Sequence, residues 1–299
     1  MEKEILEKYK KAGSICIEVK ESLKKSIKPG MKILDIAKKG EELIVKKGGK
    51  PAFPINISIN EIAAHYTPRF NDTREVNAGE IVKVDVGVHI NGYIVDSAFT
   101  YCSENNKMIE CADHVIEEVA KIIRPGIKVS EIGQFIEEFV EKRGFGLIIN
   151  LTGHGLDQYV HHGLPTIPNS RNNINHELKE WDVIAIEPFV TPSRGFVKDT
   201  NITEIYSYLQ DRPVRLPEAR KILEMAKGEY ERMPFAKRWL LEKISPIKVS
   251  LALRGLESIG ALETHSVLRE ADNKPSAQAE HTIIVHDKPI VLSKLGSTG

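Results

Sequence analysis

Two aspartates within one short stretch, IVKVDVGVHINGYIVDSAFT (residues 81–100), are well placed to do chemistry together. The Asn-Gly pair at 91–92 is a strong signal for a two-residue turn, so the stretch is predicted to form a β-hairpin. In that pairing Asp85 and Asp96 are diagonal neighbours on one face, with Cβ atoms about 7 Å apart. The alternating valines of the first strand fill the opposite face.

Two carboxylates held this close on rigid strands repel each other unless positive charge lies between them. A divalent cation, or a pair of them, would supply that charge. The alternative is that both acids are solvated on an open sheet face, and the hairpin alone does not decide between these interpretations.

The second half of the chain supplies three more candidate ligands. His154 stands between glycines in TGHG, Glu187 follows the apolar run VIAI, and Glu280 lies within AQAEHTIIV. Singly, each has an ordinary structural interpretation as an edge glutamate or a core histidine. Strand interiors disfavour acids, however, so four acids in apolar strands, Asp85 and Asp96 included, need a common explanation. Four carboxylates and one imidazole suit Co, Mn, Fe or Zn, and two such ions about 3.5–4 Å apart could hold a bridging hydroxide.

The elements that position these residues include a duplicated unit. Helical spacing predicts helices over residues 2–26, 33–47 and 105–123. The segment Ile27–Gly48 recurs as Ile123–Gly144, shifted by 96 residues without a gap, and each copy leads through a histidine to an acid-bearing strand. This duplication predicts a mixed α/β fold of the α+β type, with a pseudo-twofold axis where the acid-bearing strands meet.

Composition excludes several other classes of protein. The 42 basic and 42 acidic residues cancel, so no global field points to nucleic acid or membrane as a partner. The three cysteines lack CxxC spacing, which fits reduced cytosolic thiols. The charged N-terminus is unlike a signal peptide, and no apolar run reaches membrane-spanning length. We therefore expect a cytoplasmic protein.

The five candidate ligands, together with the phrases INEIAAHYTP, KVDVGVHINGYIVD, LTGHG, AIEPF and AQAEHTIIV, resemble the type 2 methionine aminopeptidases, and the resemblance covers nearly the whole chain. It implies the pita-bread metallopeptidase fold, whose internal pseudo-symmetry agrees with the repeat. The 92 residues between Glu187 and Glu280 indicate a type 2 helical insertion. We therefore predict a catalytic domain at 1–203, a peripheral insertion of three helices at 204–274, and a return to the catalytic domain at 275–299. The short N-terminal region resembles the archaeal type.

The resemblance also implies roles for individual residues. Asp85, Asp96, His154, Glu187 and Glu280 would bind two divalent ions, and Glu187 would also move the proton during hydroxide attack on the first peptide bond. His65 would contact the scissile amide and His162 the substrate carbonyl. His161 is adjacent, and because neighbours in an extended segment point opposite ways, only one of the pair should face the site; we assign His162.

Phe53 is the expected wall of a methionine pocket, with plain core packing as the alternative. Two positions depart from the family pattern, since Ala279 and His265 stand where relatives carry aromatic residues, and both put the shape of the pocket in doubt. The implied activity is removal of the initiator methionine when the second residue is small. The implied partners are nascent polypeptide N-termini, including those near the ribosome, and the protein is expected to be a monomer.

Two other functions stay open. A pita-bread protein can lose catalysis and serve as a binding scaffold, although such relatives lack ligands that this chain keeps. An aminopeptidase or prolidase of different specificity is the other alternative, which peptides beginning Met-Ala and Ala-Pro would distinguish.

Overall fold

The computed structural model describes residues 1–294. The α-helices in that part of the chain are α1 (Lys3–Ser26), α2 (Ile33–Lys46), α3 (Lys107–Ile122), α4 (Val129–Glu141), α5 (Pro217–Gly228), α6 (Lys237–Leu241) and α7 (Pro246–Ser258). The helices predicted at 2–26, 33–47 and 105–123 are confirmed to within two residues at each end. None of the helices in residues 1–294 is long and apolar enough to cross a membrane.

The strands of the same part of the chain belong to four sheets. They are β1 (Lys50–Pro51), β2 (Asn56–Ile59), β3 (Ile62–Ala64), β4 (Val82–Ile90), β5 (Tyr93–Tyr101), β6 (Gly146–Leu147), β7 (Thr152–Asp157), β8 (Val160–Pro168), β9 (Val183–Ile186), β10 (Phe189–Thr191), β11 (Val197–Tyr208), β12 (Phe235–Ala236), β13 (Leu262–Glu270), β14 (Ala277–Gln278), β15 (His281–Ile284) and β16 (Ile290–Val291). The sheet orders are β1-β4-β2 with β5 also on β4, β14-β10-β6, β12-β11-β13-β3, and β16-β15-β9-β7-β8. Helices α1 and α2 pack on the first of these sheets, and α3 and α4 pack against strands of the second half. The mixed α/β fold is therefore confirmed.

The hairpin of β4 and β5 has the predicted register. Both residues of the Asn-Gly pair at 91–92 have positive φ, 51° and 85°, as the predicted two-residue turn requires. Asp85 consequently lies opposite Ala98, and Asp96 lies opposite Gly87. The valines of β4 are fully buried in the core of the first half, so the two aspartates are on the other face.

The internal repeat is visible in matching backbone contacts. The Gly30 N–H donates to the Val76 carbonyl over 2.8 Å, and the equivalent Gly126 N–H donates to the Leu178 carbonyl over the same distance. Both glycines have positive φ, 84° and 80°, which explains why each copy of the repeat needs glycine at this entry turn. Each copy also has its own apolar core. The predicted duplication is confirmed.

The acid-bearing strands of the second half differ from the prediction. Glu187 was expected within a strand, but β9 ends one residue before it and β10 begins two residues after it. Glu280 likewise lies between β14 and β15. Because β9 pairs with β15 and β10 pairs with β14, the two interruptions face each other. Pro188 has no N–H with which to continue the ladder, which explains one break. Both glutamates are therefore released from regular pairing at the same place.

The predicted insertion needs a correction. Three helices lie within 204–274 as expected, and α5 and α7 contribute to an apolar cluster of their own. However, β11 runs through residue 204, and β13 pairs with both β11 and β3, so it is an interior strand of its sheet. The boundary at 204 and the peripheral position of the whole segment are therefore wrong. The inserted residues follow the end of β11 and lead into β13. Because these two neighbouring strands are antiparallel, the inserted residues between them begin and end close together. Of the predicted final segment 275–299, the last five residues lie outside the described part.

A buried ion pair joins the insertion to the first half. Arg238 of α6 is only 1% exposed, and its guanidinium donates to the carboxylate of Glu41 on α2. The indole N–H of Trp239 donates to the other oxygen of Glu41 over 3.0 Å. Arg238 also donates to the hydroxyl of Thr67, two residues after His65. The pair therefore holds the loop that carries His65 against both α2 and α6.

Replacing Glu41 by Gln should destabilise the protein strongly, because it leaves the buried Arg238 charge uncompensated. The expected loss of unfolding free energy is about 3 kcal/mol. Glu42→Gln is the matched control, since Glu42 is exposed and should change stability by less than about 0.5 kcal/mol. Urea unfolding followed by circular dichroism measures both variants. Equal stability of the two variants would show that the buried pair does not hold the insertion in place.

Candidate metal centre and substrate cavity

A cavity of about 320 Å³ brings together residues from both halves of the repeat and from the sheet of β11 and β13. The sequence-predicted residues that line it are Phe53, His65, Asp85, Asp96, His154, His162 and Glu187. Glu280 is buried beside the cavity, and its carboxylate lies in a cluster with Asp96 and His154 whose ligand atoms are all within 4.8 Å of one another. All eight predicted site residues are thus in one region.

The carboxylates of this cluster have oxygens without hydrogen-bond donors. Among the described residues, no partner is found for Asp85 Oδ1, Asp96 Oδ1 or either side-chain oxygen of Glu280. Asp96 is 3% exposed and Glu280 is 1% exposed, so water does not solvate them freely. Buried acceptors without donors are costly, and buried charges are normally paired or coordinate metals. The orphaned oxygens therefore fit a bound cation.

The pKa values of these carboxyl groups also indicate that the site needs positive charge. Burial raises the pKa of Asp85, Glu187 and Glu280 well above the usual range, and the charge of Asp96 raises all three further. Four acids in one buried place cannot all ionise without compensating charge. Two divalent cations would offset the four negative charges, so the residues present fit a dinuclear centre.

His154 reaches the cluster because its flanking glycines allow close contact between backbones. A Cβ at Gly153 would lie 2.3 Å from the Ala185 carbonyl oxygen, and one at Gly155 would lie 2.0 Å from that of Leu164. His154 Nε2 lies 3.7 Å from Asp96 Oδ2. Burial, aided by the neighbouring His161, lowers the pKa of His154 to about 4, so its imidazole is neutral at pH 7 and can act as a ligand.

Side-chain hydrogen bonds join β5 to the segment that carries Glu280. The Asp96 N–H donates to Thr282 Oγ1 over 2.8 Å, and that hydroxyl donates back to the Asp96 carbonyl over 2.7 Å. The Ser97 hydroxyl donates to the carbonyl of Glu280 over 2.6 Å. These contacts fix Asp96 and Glu280 relative to each other.

The sequence interpretation assigned no role to the residues that make these contacts. Gln278 is a further example, because its Nε2 donates to Glu187 Oε2 over 3.3 Å. The available signal was position, since Gln278 and Thr282 share a strand face with Glu280 and Ser97 follows Asp96 directly.

His65 is held in a left-handed backbone conformation at the edge of the cavity, with φ 62°. Its Nδ1 lies 3.1 Å from the Ser266 carbonyl oxygen, which can only accept, so the proton of this bond is on Nδ1. The lone pair of Nε2 is consequently free. Burial lowers the pKa of His65 to about 4, and the ring therefore remains neutral near pH 7.

The prediction that only one of His161 and His162 faces the site is wrong. Both line the cavity, and their rings stack with centroids 4.0 Å apart. The pairing of β7 with β8 shifts register on both sides of Gly155, so the strict alternation assumed for an extended segment does not hold there. Charge repulsion from the adjacent His161 ring is the largest cause of the lowered pKa of His162. The assigned His162 is thus in the cavity, together with a histidine that was set aside.

The apolar part of the cavity includes Phe53, whose ring stacks on His161 with centroids 4.6 Å apart. A Cβ at Gly87 would lie 2.2 Å from the Phe53 ring, so glycine is needed there. His265 is one of the two residues that differ from the family pattern. It lines the cavity, and its Nε2 lies 2.7 Å from Ser207 Oγ. Ala279 is instead buried in the core of the second half and is not among the lining residues.

Buried carboxylates and a neutral imidazole beside a cavity of this size form the kind of site found in metal-dependent hydrolases. The chain belongs to the metallopeptidase family M24, whose family model matches residues 7–287. It is 43% identical over 291 residues to a methionine aminopeptidase of Pyrococcus abyssi, which covers 96% of this chain and 99% of that protein. It is 46% identical over 278 residues to a methionine aminopeptidase of Thermococcus onnurineus, covering 92% of this chain and 94% of that one.

Solved structures show the same fold. A thermophilic Arx1 superposes with a TM-score of 0.87 at 18% identity, covering 100% of this chain and 93% of that one. At this identity the superposition shows a shared fold alone.

Proposed function

We propose that the protein is a methionine aminopeptidase that removes the N-terminal methionine of polypeptides whose second residue is small. The observation that carries the proposal is the near full-length identity, 43% and 46%, with two archaeal proteins of that name. The buried cluster of acids and His154 supports it, because a hydrolase that cleaves a peptide bond needs a strong electrophile and a nucleophile at neutral pH.

In this proposal five residues hold two divalent ions, drawn from Co, Mn, Fe and Zn. They are Asp85, Asp96, His154, Glu187 and Glu280. When bound, the ions would activate the attacking water and polarise the carbonyl of the first peptide bond. The orphaned oxygens of Asp85, Asp96 and Glu280 are the feature of the chain that fits this use.

The remaining steps belong to the side chains of the chain itself. Glu187 takes the proton released by the nucleophile and returns it to the leaving amine, as a carboxylate beside the attacking water is suited to do. His65 presents its free Nε2 to the scissile amide, while His162 contacts the substrate carbonyl. Phe53 provides an apolar surface for the methionine side chain. Together these groups position the first two residues of the substrate and move one proton from the nucleophile to the leaving amine.

Substrates in this proposal are the N-termini of nascent polypeptides. A cytoplasmic location, action near the ribosome, a monomeric state and the absence of nucleic acid and membrane partners stay predictions.

A single metal-dependent assay tests the function. After exhaustive chelation the protein should have no measurable activity, and Mn, Fe or Co should restore cleavage of a Met-Ala peptide, because the acids alone provide neither electrophile nor activated water. The same reconstituted protein should leave an Ala-Pro peptide uncut.

The other functions give different results in this assay. Cleavage of Ala-Pro in preference to Met-Ala would indicate a prolidase-like enzyme. Failure to cleave either peptide, with metal content confirmed, would favour a binding scaffold. Full activity at a metal content near zero would remove the ions from the mechanism.

A further inference from the structure

His161 is the one cavity histidine of the described residues whose ring nitrogen contacts a candidate ligand at hydrogen-bond distance. Its Nε2 lies 2.8 Å from Asp96 Oδ2, closer than His154 Nε2, which is 3.7 Å from the same oxygen. The His161 ring is half-buried and stacks on Phe53, so packing fixes its direction. The position of this nitrogen is therefore a defined feature of the cavity.

The distances are those expected for ligands that share an ion. Nitrogen and oxygen ligands bind first-row metals at about 2.0–2.2 Å, so two adjacent ligands lie about 3 Å apart. The separation of His161 Nε2 and Asp96 Oδ2 falls close to this value. Nitrogens of His154, His161 and His162 are also all within 4.8 Å of one another. The cavity therefore has room for an ion contacted by more than one imidazole.

The proton of His161 does not prevent coordination. Among residues 1–294 its Nδ1 has no hydrogen-bond partner, whereas Nε2 faces Asp96. A neutral imidazole carries its proton on either nitrogen, and the hydrogen bond of one nitrogen determines which. With a cation beside Asp96, the proton can reside on Nδ1, and Nε2 then offers a lone pair.

We propose that His161 is a further ligand of the ion held by Asp96 and His154, which gives that ion two imidazoles. This inference rests on the metal centre of the proposed function. It identifies a borderline first-row ion as the preferred occupant, because imidazole favours Co, Fe and Zn over Mn, whereas carboxylate-only sites accept Mn readily. His161 also connects metal and substrate binding, since its ring forms part of the wall beside Phe53.

The decisive measurement is proton NMR of the Co²⁺-loaded protein, in which rings bound to the paramagnetic ion give strongly shifted imidazole N–H signals. Wild type should show two such imidazoles, and His161→Phe should show one. Phe keeps an aromatic ring to stack on Phe53. His265→Phe is the matched control, because His265 is in the same cavity but bonded to Ser207, and it should retain both signals.

Competition between metals provides a second measurement. The ratio of Co²⁺ to Mn²⁺ bound at equilibrium, determined by elemental analysis after dialysis against both, should fall at least about tenfold in His161→Phe. If that variant does not fold by circular dichroism, His161→Gln serves in both measurements, because it is polar and lacks the ring.

The possible failures are distinguishable. One shifted imidazole in wild type, with two Co²⁺ ions bound, overturns the assignment of His161 and leaves the proposed function intact. If His161→Phe still shows two shifted imidazoles, the second ligand is another histidine, and the assignment of His161 is again overturned. A wild-type protein that binds no Co²⁺ contradicts the metal centre itself.

Discussion

Glu187→Gln should lower kcat by at least about 10²-fold when assayed with a Met-Ala peptide at saturating metal. Glutamine has nearly the same shape but has neither the charge nor the basicity needed to accept a proton. Glu187 is positioned by the interruption between β9 and β10 and by the Gln278 side chain, which also donates to the carboxylate in wild type. The loss should therefore come mainly from proton transfer rather than from a displaced side chain.

The measurement must separate proton transfer from metal loss, since the same carboxylate is a proposed ligand. Metal content is determined by elemental analysis, and kcat is read where added metal no longer increases the rate. Glu177→Gln is the matched control, because Glu177 is exposed on the preceding segment and should keep full turnover. Turnover close to wild type in Glu187→Gln, with both ions bound, would exclude this residue from proton transfer.

Peptides that begin Met-Ala should be cleaved with a kcat/KM at least about 10²-fold higher than peptides that begin Met-Leu. In the proposed function the first peptide bond lies against the acid cluster, and the methionine side chain lies along Phe53. His65 and His162 line the cavity in which that bond would lie. A second side chain as large as that of Leu or Phe would have to enter this space or draw the carbonyl away, and a displacement of about 1 Å can cost 10²-fold in rate.

A series in which only the second residue changes tests this expectation. Gly, Ala, Ser, Thr, Pro, Val and Cys should be accepted, whereas Leu and Phe should be poor. Substituting residues further along the peptide is the control, and should change kcat/KM little because we expect that part of the chain to extend from the cavity into solvent. Equal cleavage of Met-Ala, Met-Leu and Met-Phe peptides would replace initiator-methionine removal with a general aminopeptidase activity.

The features that the sequence alone determined depend on short-range rules. A turn of two residues with positive φ set the register of β4 and β5, and alternation then placed Asp85 and Asp96 on one face. The duplicated Pro-Gly turn predicted two equivalent units, each with the same backbone contact. Acids within apolar segments marked Glu187 and Glu280, because burial of an acid needs compensation wherever the chain places it.

Other features depend on contacts between distant parts of the chain. His65 takes its orientation from the Ser266 carbonyl, 201 residues away, and Arg238 of the insertion pairs with Glu41, 197 residues away. The extent of the insertion was likewise decided by the pairing of β11 with β13. Local propensity and periodicity carry no information about such partners.

The histidines show most clearly the difference between what the sequence predicts and what the tertiary structure decides. The family resemblance identified His162, and the alternation of an extended strand set His161 aside. Only the irregular pairing of β7 with β8 turned both rings into the cavity and brought His161 to Asp96. Residue types thus determined which chemistry was available, because they fix charge and ligand character. The tertiary structure decided which nitrogen meets which carboxylate, since that depends on how strands from separate parts of the chain pack together.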